Sequence, residues 1–509
     1  MAALGTAKKP TSAFAEHGMA KAIKSVCEEI RELYQWDQVP WVVGYSGGKD
    51  STAVLQLVWL AIRDLPDENR RKPIHVISTD TLVEQPLVAA WVDASHAKMR
   101  KAAEEQGMSI TPHKLVPETK DSFWVNLIGK GYPAPRKLFR WCTSRMKISP
   151  SNNFIRNMVR ENGEAILVLG TRKAESQRRA LNMAQHEAKR VRERLTPNAN
   201  LPNSLVYTPI EDWTNDDVWL FLMQAKNPWG HTNKSLLGMY QGASADGECP
   251  LVVDTSTPSC GSSRFGCWVC TVVDKDRSME AMIKNDEEKV WMTPLLELRN
   301  DLGDFSKERV RRDYRRMSGR VQLFHDGVVR GPYTKEAREY WLERVLGAQK
   351  QVRELGPEDF RNLQLISMAE LQEIRRIWLY EKHEFDDSLP RVYEEVLHEP
   401  FPMPASDDNL LRAEDWEILR EVCGGDEEFF QLQTGLLDIE REFRGMSRRA
   451  GIYETLEDRL RAKQYAGEEE ALAIRQDEER RRAEAMSEHH QHGEVGQSLL
   501  EQSDADDLE

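Results

Sequence analysis

The sequence predicts an α/β protein: a doubly wound parallel sheet, followed by a Cys-rich segment and a helical C-terminal region. Three observations predict it. Short β-rich runs alternate with helix-length segments between residues 39 and 210, the pattern of parallel strands joined by crossover helices. A Gly-rich turn at 46–51 joins the first run to the helix that follows it. Beyond Ser278 the chain is highly charged and keeps helical spacing.

Taken in order, a helix is expected over about 14–34, after a disordered first ten residues. Strands are expected at 39–45, 73–78, 109–116, 165–169 and 204–210, with helices at 52–64 and 86–106 among them. Beyond Gly230, residues 241–270 are rich in Gly, Ser, Pro and Cys, and a loop of that length is usually functional. The expected divisions are an N-terminal helix (1–36), a nucleotide domain (37–240), a Cys-rich segment (241–277), a helical region (278–466) and a charged, disordered tail (467–509).

Composition narrows the function. The 509 residues carry a net charge of -14, so the chain as a whole does not grip nucleic acid by its net charge. No apolar run is long enough to span a membrane, and the N-terminus lacks the apolar core of a secretion signal. The expected location is the cytoplasm. Seven unevenly placed cysteines point to metal binding or chemistry rather than a disulfide framework.

The turn at 46–51 reads Ser46-Gly47-Gly48-Lys49-Asp50-Ser51. Two glycines let backbone N–H groups approach a phosphate, and the helix N-terminus adds donors and a favourable dipole. Lys49 adds a point charge, and Ser46 and Ser51 add hydroxyls. The plainer reading is a Gly turn that merely opens a helix. A Walker A loop is excluded, because Val43 stands where its first Gly belongs and Asp50 where its Ser or Thr belongs.

The six residues match SGGxDS, the PP-loop of ATP pyrophosphatases. That resemblance implies cleavage of ATP between the α and β phosphates and adenylylation of a substrate oxygen. Asp80-Thr81, Gly170-Thr171-Arg172 with Glu175-Ser176, and Asp212-Trp213 with Asp216-Asp217-Val218-Trp219 follow later strands. Strand C-termini are where open α/β sheets bind ligands. These segments resemble the phosphoadenylylsulfate (PAPS) reductase branch of the superfamily, although Leu82 replaces the Gly of its DTG pattern. Arg172 can fork onto phosphate oxygens, against the plainer reading of a surface Arg at a helix start.

Longer segments are closer still to one family. They include Gly131-Tyr132-Pro133-Ala134-Pro135-Arg136, Arg140-Trp141-Cys142-Thr143, Tyr207-Thr208-Pro209-Ile210-Glu211 and Phe265-Gly266-Cys267-Trp268-Val269-Cys270. They resemble DndC, the sulfurtransferase of DNA phosphorothioation, a DNA sulfur modification tied to restriction–modification. The resemblance implies an ATP pyrophosphatase that adenylylates a DNA backbone phosphate oxygen, which sulfur then replaces. Its implied cofactors are ATP, Mg²⁺ and a [4Fe–4S] cluster. Its implied partners are DNA, a cysteine desulfurase as sulfur donor, and DndD- and DndE-like proteins. Ser46, Gly47, Gly48, Lys49, Asp50, Ser51, Asp80, Gly170, Arg172 and Ser176 are the expected nucleotide residues. Lys49, Asp50 and Arg172 are the expected catalytic ones, with Asp50 orienting the loop or the metal.

Cys267-x-x-Cys270 puts two thiols on one turn, with Cys249 and Cys260 in the same Gly-rich segment. Spacing alone fits zinc as well as iron–sulfur. Resemblance to adenylylsulfate reductases adds Cys142, which follows an aromatic residue and precedes Lys147, and favours the cluster. Cys142, Cys260, Cys267 and Cys270 are the expected ligands, with Cys249 as alternate to Cys260. Cys27 and Cys423 read as buried helix residues.

Two basic stretches, 172–194 and 307–320, are expected to be helical. Each reads either as a solvated charged face or as a track for the DNA backbone. Rival readings are a PAPS or adenylylsulfate reductase, a tRNA thiolase and a non-catalytic nucleotide or redox scaffold. The reductase reading calls for a catalytic cysteine near the C-terminus, and no cysteine follows Cys423. The helical region is expected either to dock partners or to pack against the α/β domain.

Overall fold

A computed structural model describes residues 11–188, 190–191, 194–244, 265–324, 327–382, 384, 386–403, 413–444, 449–461 and 468–491. Through the α/β part the elements run α1 (Met19–Trp36), β1 (Trp41–Gly44), α2 (Lys49–Arg63), β2 (Ile74–Thr79), α3 (Pro86–Glu105) and β3 (Ile110–Leu115). There follow α4 (Ser149–Asn162), β4 (Ala165–Val168), α5 (Gln177–Glu187), β5 (Thr196–Pro197), β6 (Ser204–Tyr207), α6 (Asn215–Gln224) and α7 (Asn233–Gly242).

The sheet has the order β3-β2-β1-β4-β6-β5. Its pairs are parallel except the last, where the two-residue β5 runs antiparallel to β6. The expected doubly wound parallel sheet is therefore present, with an antiparallel edge too short for a periodic signal. Trp41, Val42 and Val43 are fully buried, as strands covered on both faces require. One face carries α2, buried on nearly every side, with α1 and α6. The other carries α4, whose Phe154, Ile155, Met158 and Val159 pack on Val42, Ile77 and Ala165. The first helix begins at Met19 rather than 14, because Gly18 adopts a positive φ of 76°. Ser12 Oγ and the Ala13 N–H instead donate to the Asp217 carboxylate, 2.5 and 3.0 Å away.

Strand order turns outward in both directions from β1 and β4. Such a switch point opens a crevice at the strand C-termini.

The helical region includes α8 (Arg277–Asn285), α9 (Thr293–Leu302), α10 (Glu308–Arg311), α11 (Lys335–Leu355), α12 (Met368–Tyr380) and α13 (Ser388–Leu397). It shares one core with Trp124, Leu127, Trp141, Met146 and Trp268, so it packs on the segment that carries Cys142 and on the turn that carries Cys267. Two stretches of that shared region, Val125–Gly129 and Thr143–Ile148, are π-helical, a form that recurs at functional sites.

Two expectations change here. The stretch 307–320 is helical only at Glu308–Arg311. Arg312 leaves the helix to donate to the carbonyls of Gly331 and Arg330, and Gly319 turns the chain with φ 77°. Part of the expected disordered tail, Glu468–Gln491, is helical. It is held by Arg330–Glu468, by burial of Ala471 beside Val321, and by Arg475 donating to the Val321 carbonyl. Among the described residues no helix is long and apolar enough to cross a membrane.

Candidate active site

The loop between β1 and α2 is braced before any ligand arrives. Ser51 Oγ donates to the Gly48 carbonyl at 3.0 Å and accepts the Ser46 N–H at 3.2 Å. Gly47 has φ 74°, and a Cβ there would stand 2.7 Å from Val92 Cγ2. Trp91 Nε1 donates to its carbonyl at 3.2 Å. The Lys49 N–H donates to Tyr240 Oη at 3.3 Å, and burial pushes the Tyr240 phenol up to about 12. Sequence reading missed Tyr240 and Trp91, which no local motif marks.

Asp50 lies between two cations. Lys49 Nζ is 3.0 Å from Oδ2, and Arg172 Nε is 2.7 Å from Oδ1. Arg172 is only 3 % exposed and also donates to the Trp213 carbonyl at 3.2 Å. Arg172 thus ties the end of β4 to the phosphate loop, in addition to lining the cleft. Gly170 makes this approach possible: a Cβ there would stand 2.9 Å from the Asp50 carbonyl carbon and oxygen. Backbone cannot yield as a flexible side chain can. Ser176 caps α5 by accepting the Arg179 N–H, and both residues line the cleft.

At the end of β2, Asp80 pairs with Lys114 at 2.9 Å and accepts the Leu82 N–H at 2.8 Å. Leu82, which replaces the expected Gly, has φ 64°. Leu82 thus holds a left-handed conformation that favours glycine, and the Asp80 bond helps to hold it.

The same loop reaches the thiols. Glu84 and Cys267 form an isolated antiparallel bridge, and the Trp268 N–H donates to the Val83 carbonyl at 3.0 Å. Fully buried Thr81 places Oγ1 2.8 Å from Glu84 Oε1 and 3.3 Å from Cys267 Sγ. Lys147 Nζ is 3.7 Å from Glu84. Burial opposes the charge on Lys147, but Cys267 and Glu84, with Cys270, outweigh it and raise its pKa. Burial, then Glu84, pushes the Cys267 thiol up to about 12, and burial with Cys270 raises Cys142. Cys142, Cys267 and Cys270 are thus brought together from segments far apart in the chain. Cys249 and Cys260 lie outside the described residues. Among the described residues no three such donors close into a ready-made metal site. The donor chemistry nevertheless fits a thiolate-held group: three interacting thiols beside a lysine. Cys27 and Cys423 are buried elsewhere.

These parts open on one cleft of about 1040 Å³, lined by the loop, Asp80, Glu84, Lys114, Lys147, Ser151, Arg172 and Tyr240 among others. The Gly47–Gly48 loop stands at one end, and at the other Glu84 and Lys147 meet Cys267.

Residues 40–272 match the model of the phosphoadenosine phosphosulfate reductase domain. An uncharacterized protein of Methanocaldococcus jannaschii is 24% identical over 262 residues, 52% of this chain. The match spans only 42% of that relative's length. The PAPS reductase of Candida auris, solved as a phosphate complex, is 14% identical, with a TM-score of 0.26 over 41% of this chain and 88% of its own. The likeness is therefore to the phosphoadenosine phosphosulfate reductase domain, over somewhat less than half of this chain.

Proposed function

We propose that this protein is an ATP-dependent sulfurtransferase that acts on a DNA backbone phosphate. The observation that supports this reading is a cleft whose walls include the Gly-rich loop at one end and, at the other, Glu84 and Lys147, which with Thr81 meet Cys267, the thiol that interacts with Cys270. Lys49 and the N-terminus of α2 bind the β and γ phosphates. Asp50, engaged by Lys49 and Arg172, holds the loop in shape, so a magnesium ion would enter with the nucleotide, held by phosphate oxygens and water. A non-bridging DNA oxygen attacks the α phosphorus, the bond to the β phosphate breaks, and pyrophosphate leaves. A sulfide-level nucleophile then attacks the adenylylated backbone phosphorus, and AMP departs with the oxygen. Catalysis by these residues is positioning and charge neutralisation.

Cys142, Cys267 and Cys270, with Cys260 or Cys249, would hold a [4Fe–4S] cluster. When bound, it would supply soft, redox-active sulfur coordination beside the nucleotide. Lys147 and Glu84 orient this end of the cleft. The net acidity of the chain suits action with partners: a cysteine desulfurase whose persulfide sulfur a thiol reductant brings to the sulfide level, with the thiol oxidised to disulfide, and DndD- and DndE-like proteins to present DNA.

The test is pyrophosphate release from ATP with and without DNA, followed by reconstitution with a desulfurase, cysteine and a thiol reductant. DNA-dependent pyrophosphate and a phosphorothioate seen by mass spectrometry, only when the desulfurase is present, are expected. Product formed by this protein alone would overturn the need for a donor. The family match keeps a second reading in view, reduction of PAPS or adenylylsulfate. Sulfite release from either nucleotide, with no response to DNA, would establish it instead.

A further inference from the structure

The two basic stretches that stand out in the sequence are largely engaged within the fold. Lys173 pairs with Glu187 and Asp212, Arg179 with Glu175, Arg190 with Glu211, and Arg194 with Glu29. Arg311, Arg312 and Arg315 pair with Asp301, Glu308 and Asp313. A different segment is less conspicuous but more one-sided. Residues 122–160 contain eight Lys or Arg and no Asp or Glu, in a chain of net charge -14.

Tertiary structure gathers much of that charge beside the cleft. Arg136 and Phe139 close a turn with mutual backbone bonds of 2.9 and 3.0 Å, which carries Lys137 and a fully exposed Leu138 at its tip. Lys137 and Arg140 are exposed, just before Cys142. Helix α4 then starts at the cleft, where Ser151 and Asn152 line it and Thr79 Oγ1 lies 2.9 Å from Ser151 Oγ. Its apolar residues pack on the sheet, while Asn153, Arg156, Asn157 and Arg160 share the exposed face at helical spacing. Arg156 and Arg160 donate only to Asn153 and Asn157, and Arg140 to the Lys137 carbonyl. Among the described residues none of these four cations has an acidic partner.

From this we infer that the turn bearing Lys137 and Arg140, together with the outer face of α4 bearing Arg156 and Arg160, is the surface that binds the DNA backbone and leads it to the cleft. The inference rests on the reading of DNA as substrate and names where this chain holds it. Unpaired guanidinium and ammonium groups release counterions when they meet phosphates, and the asparagine amides add neutral donors. Location decides against a plain solvated face: the track begins where the phosphate chemistry and the thiols are. An acidic protein surface is the competing occupant.

The test uses the full chain and a variant with Lys137→Gln, Arg140→Gln, Arg156→Gln and Arg160→Gln. All four side chains are exposed, so circular dichroism and ATP affinity are expected to be unchanged. Binding to a fluorescent DNA duplex is read by anisotropy across a salt series. The variant should lose roughly tenfold or more in affinity, and its log–log salt slope should flatten by about 3–4, near 0.9 for each lost phosphate contact. A second variant with Lys137→Arg should keep the wild-type slope. Unchanged affinity and slope in the fourfold variant would overturn the inference. So would wild-type protein that ignores the duplex but is captured by an acidic polypeptide through these residues. Pyrophosphate release is scored separately: DNA binding lost in the variant, with no pyrophosphate from wild type, would sink the sulfurtransferase reading and leave the surface standing.

Discussion

The two ends of the cleft are built differently. At the end formed by the Gly-rich loop, six consecutive residues supply most of the groups, and one strand–turn–helix unit sets their geometry. Distant residues such as Arg172 and Tyr240 only brace what is already there. At the thiol end nothing is consecutive. Cys142 follows a turn before a π-helical stretch, Cys267 and Cys270 come from a turn far along the chain, and Thr81, Glu84 and Lys147 join them. A helical core that includes Trp141 and Trp268 holds the two cysteine segments against each other. A phosphate can be met by backbone N–H groups of one loop, whereas a multi-thiolate group needs ligands from several directions.

That difference predicts that the ends fail separately. Cys142→Ser, Cys267→Ser or Cys270→Ser should abolish iron and sulfide content in anaerobically purified protein while ATP affinity stays within about twofold, since serine is a poor soft ligand. Iron retained in all three, or zinc in its place, would break the comparison at the thiol end. Arg172→Ala removes one partner of an ion pair that is almost buried. Its cost should fall somewhat below the roughly 3–5 kcal/mol of a fully buried pair, because Asp50 is 25% exposed and keeps Lys49. Denaturant unfolding measures it, and a change under about 1 kcal/mol would deny Arg172 its bracing role.

Lys49→Ala should leave iron content unchanged and slow pyrophosphate release by roughly 10- to 100-fold, the equivalent of about 1.5–3 kcal/mol for a charge-assisted contact. Normal turnover would remove the phosphate-loop reading. Thr81→Val sits between the two ends. It keeps the shape but loses the hydroxyl that meets Glu84 and Cys267, and should cost about 1 kcal/mol in unfolding free energy. The smallest effect is expected at Leu82→Gly. The φ of 64° costs a leucine about 1–2 kcal/mol, and glycine returns about 0.5–1 kcal/mol as chain entropy. A net gain near 0.5 kcal/mol should appear as a small rise in melting temperature, and a loss would mean that the Leu82 side chain packs more than its 37% exposure suggests.

The same contrast separates what could be read early from what could not. The sheet was legible because buried parallel strands are continuous apolar runs, and the loop because its glycines and its lysine are adjacent. The two-residue β5 was not legible, since two residues have no period. The stretch 307–320 misled because a run of arginines resembles a helical face. Arg312 instead donates to the carbonyls of Arg330 and Gly331, and Arg311 pairs with Asp301, partners a local pattern does not show. Tyr240 gives no local signal, as its contact with Lys49 spans most of the α/β part.

By itself the sequence determined the alternation of strands and helices, the phosphate loop at the end of β1, and the pair of thiols on one turn. Each is a property of neighbouring residues: backbone freedom at Gly47 and Gly48, side-chain periodicity, and a two-residue spacing between cysteines. Only the tertiary structure decided that Arg172 braces Asp50, that Cys142 meets the Cys267 turn beside Lys147, and which cations stay without an acid. Those outcomes depend on which distant surfaces pack together. Pairing energies fall steeply with distance and burial, so a charge or a thiol acquires its role from its neighbours in space rather than its neighbours in the chain.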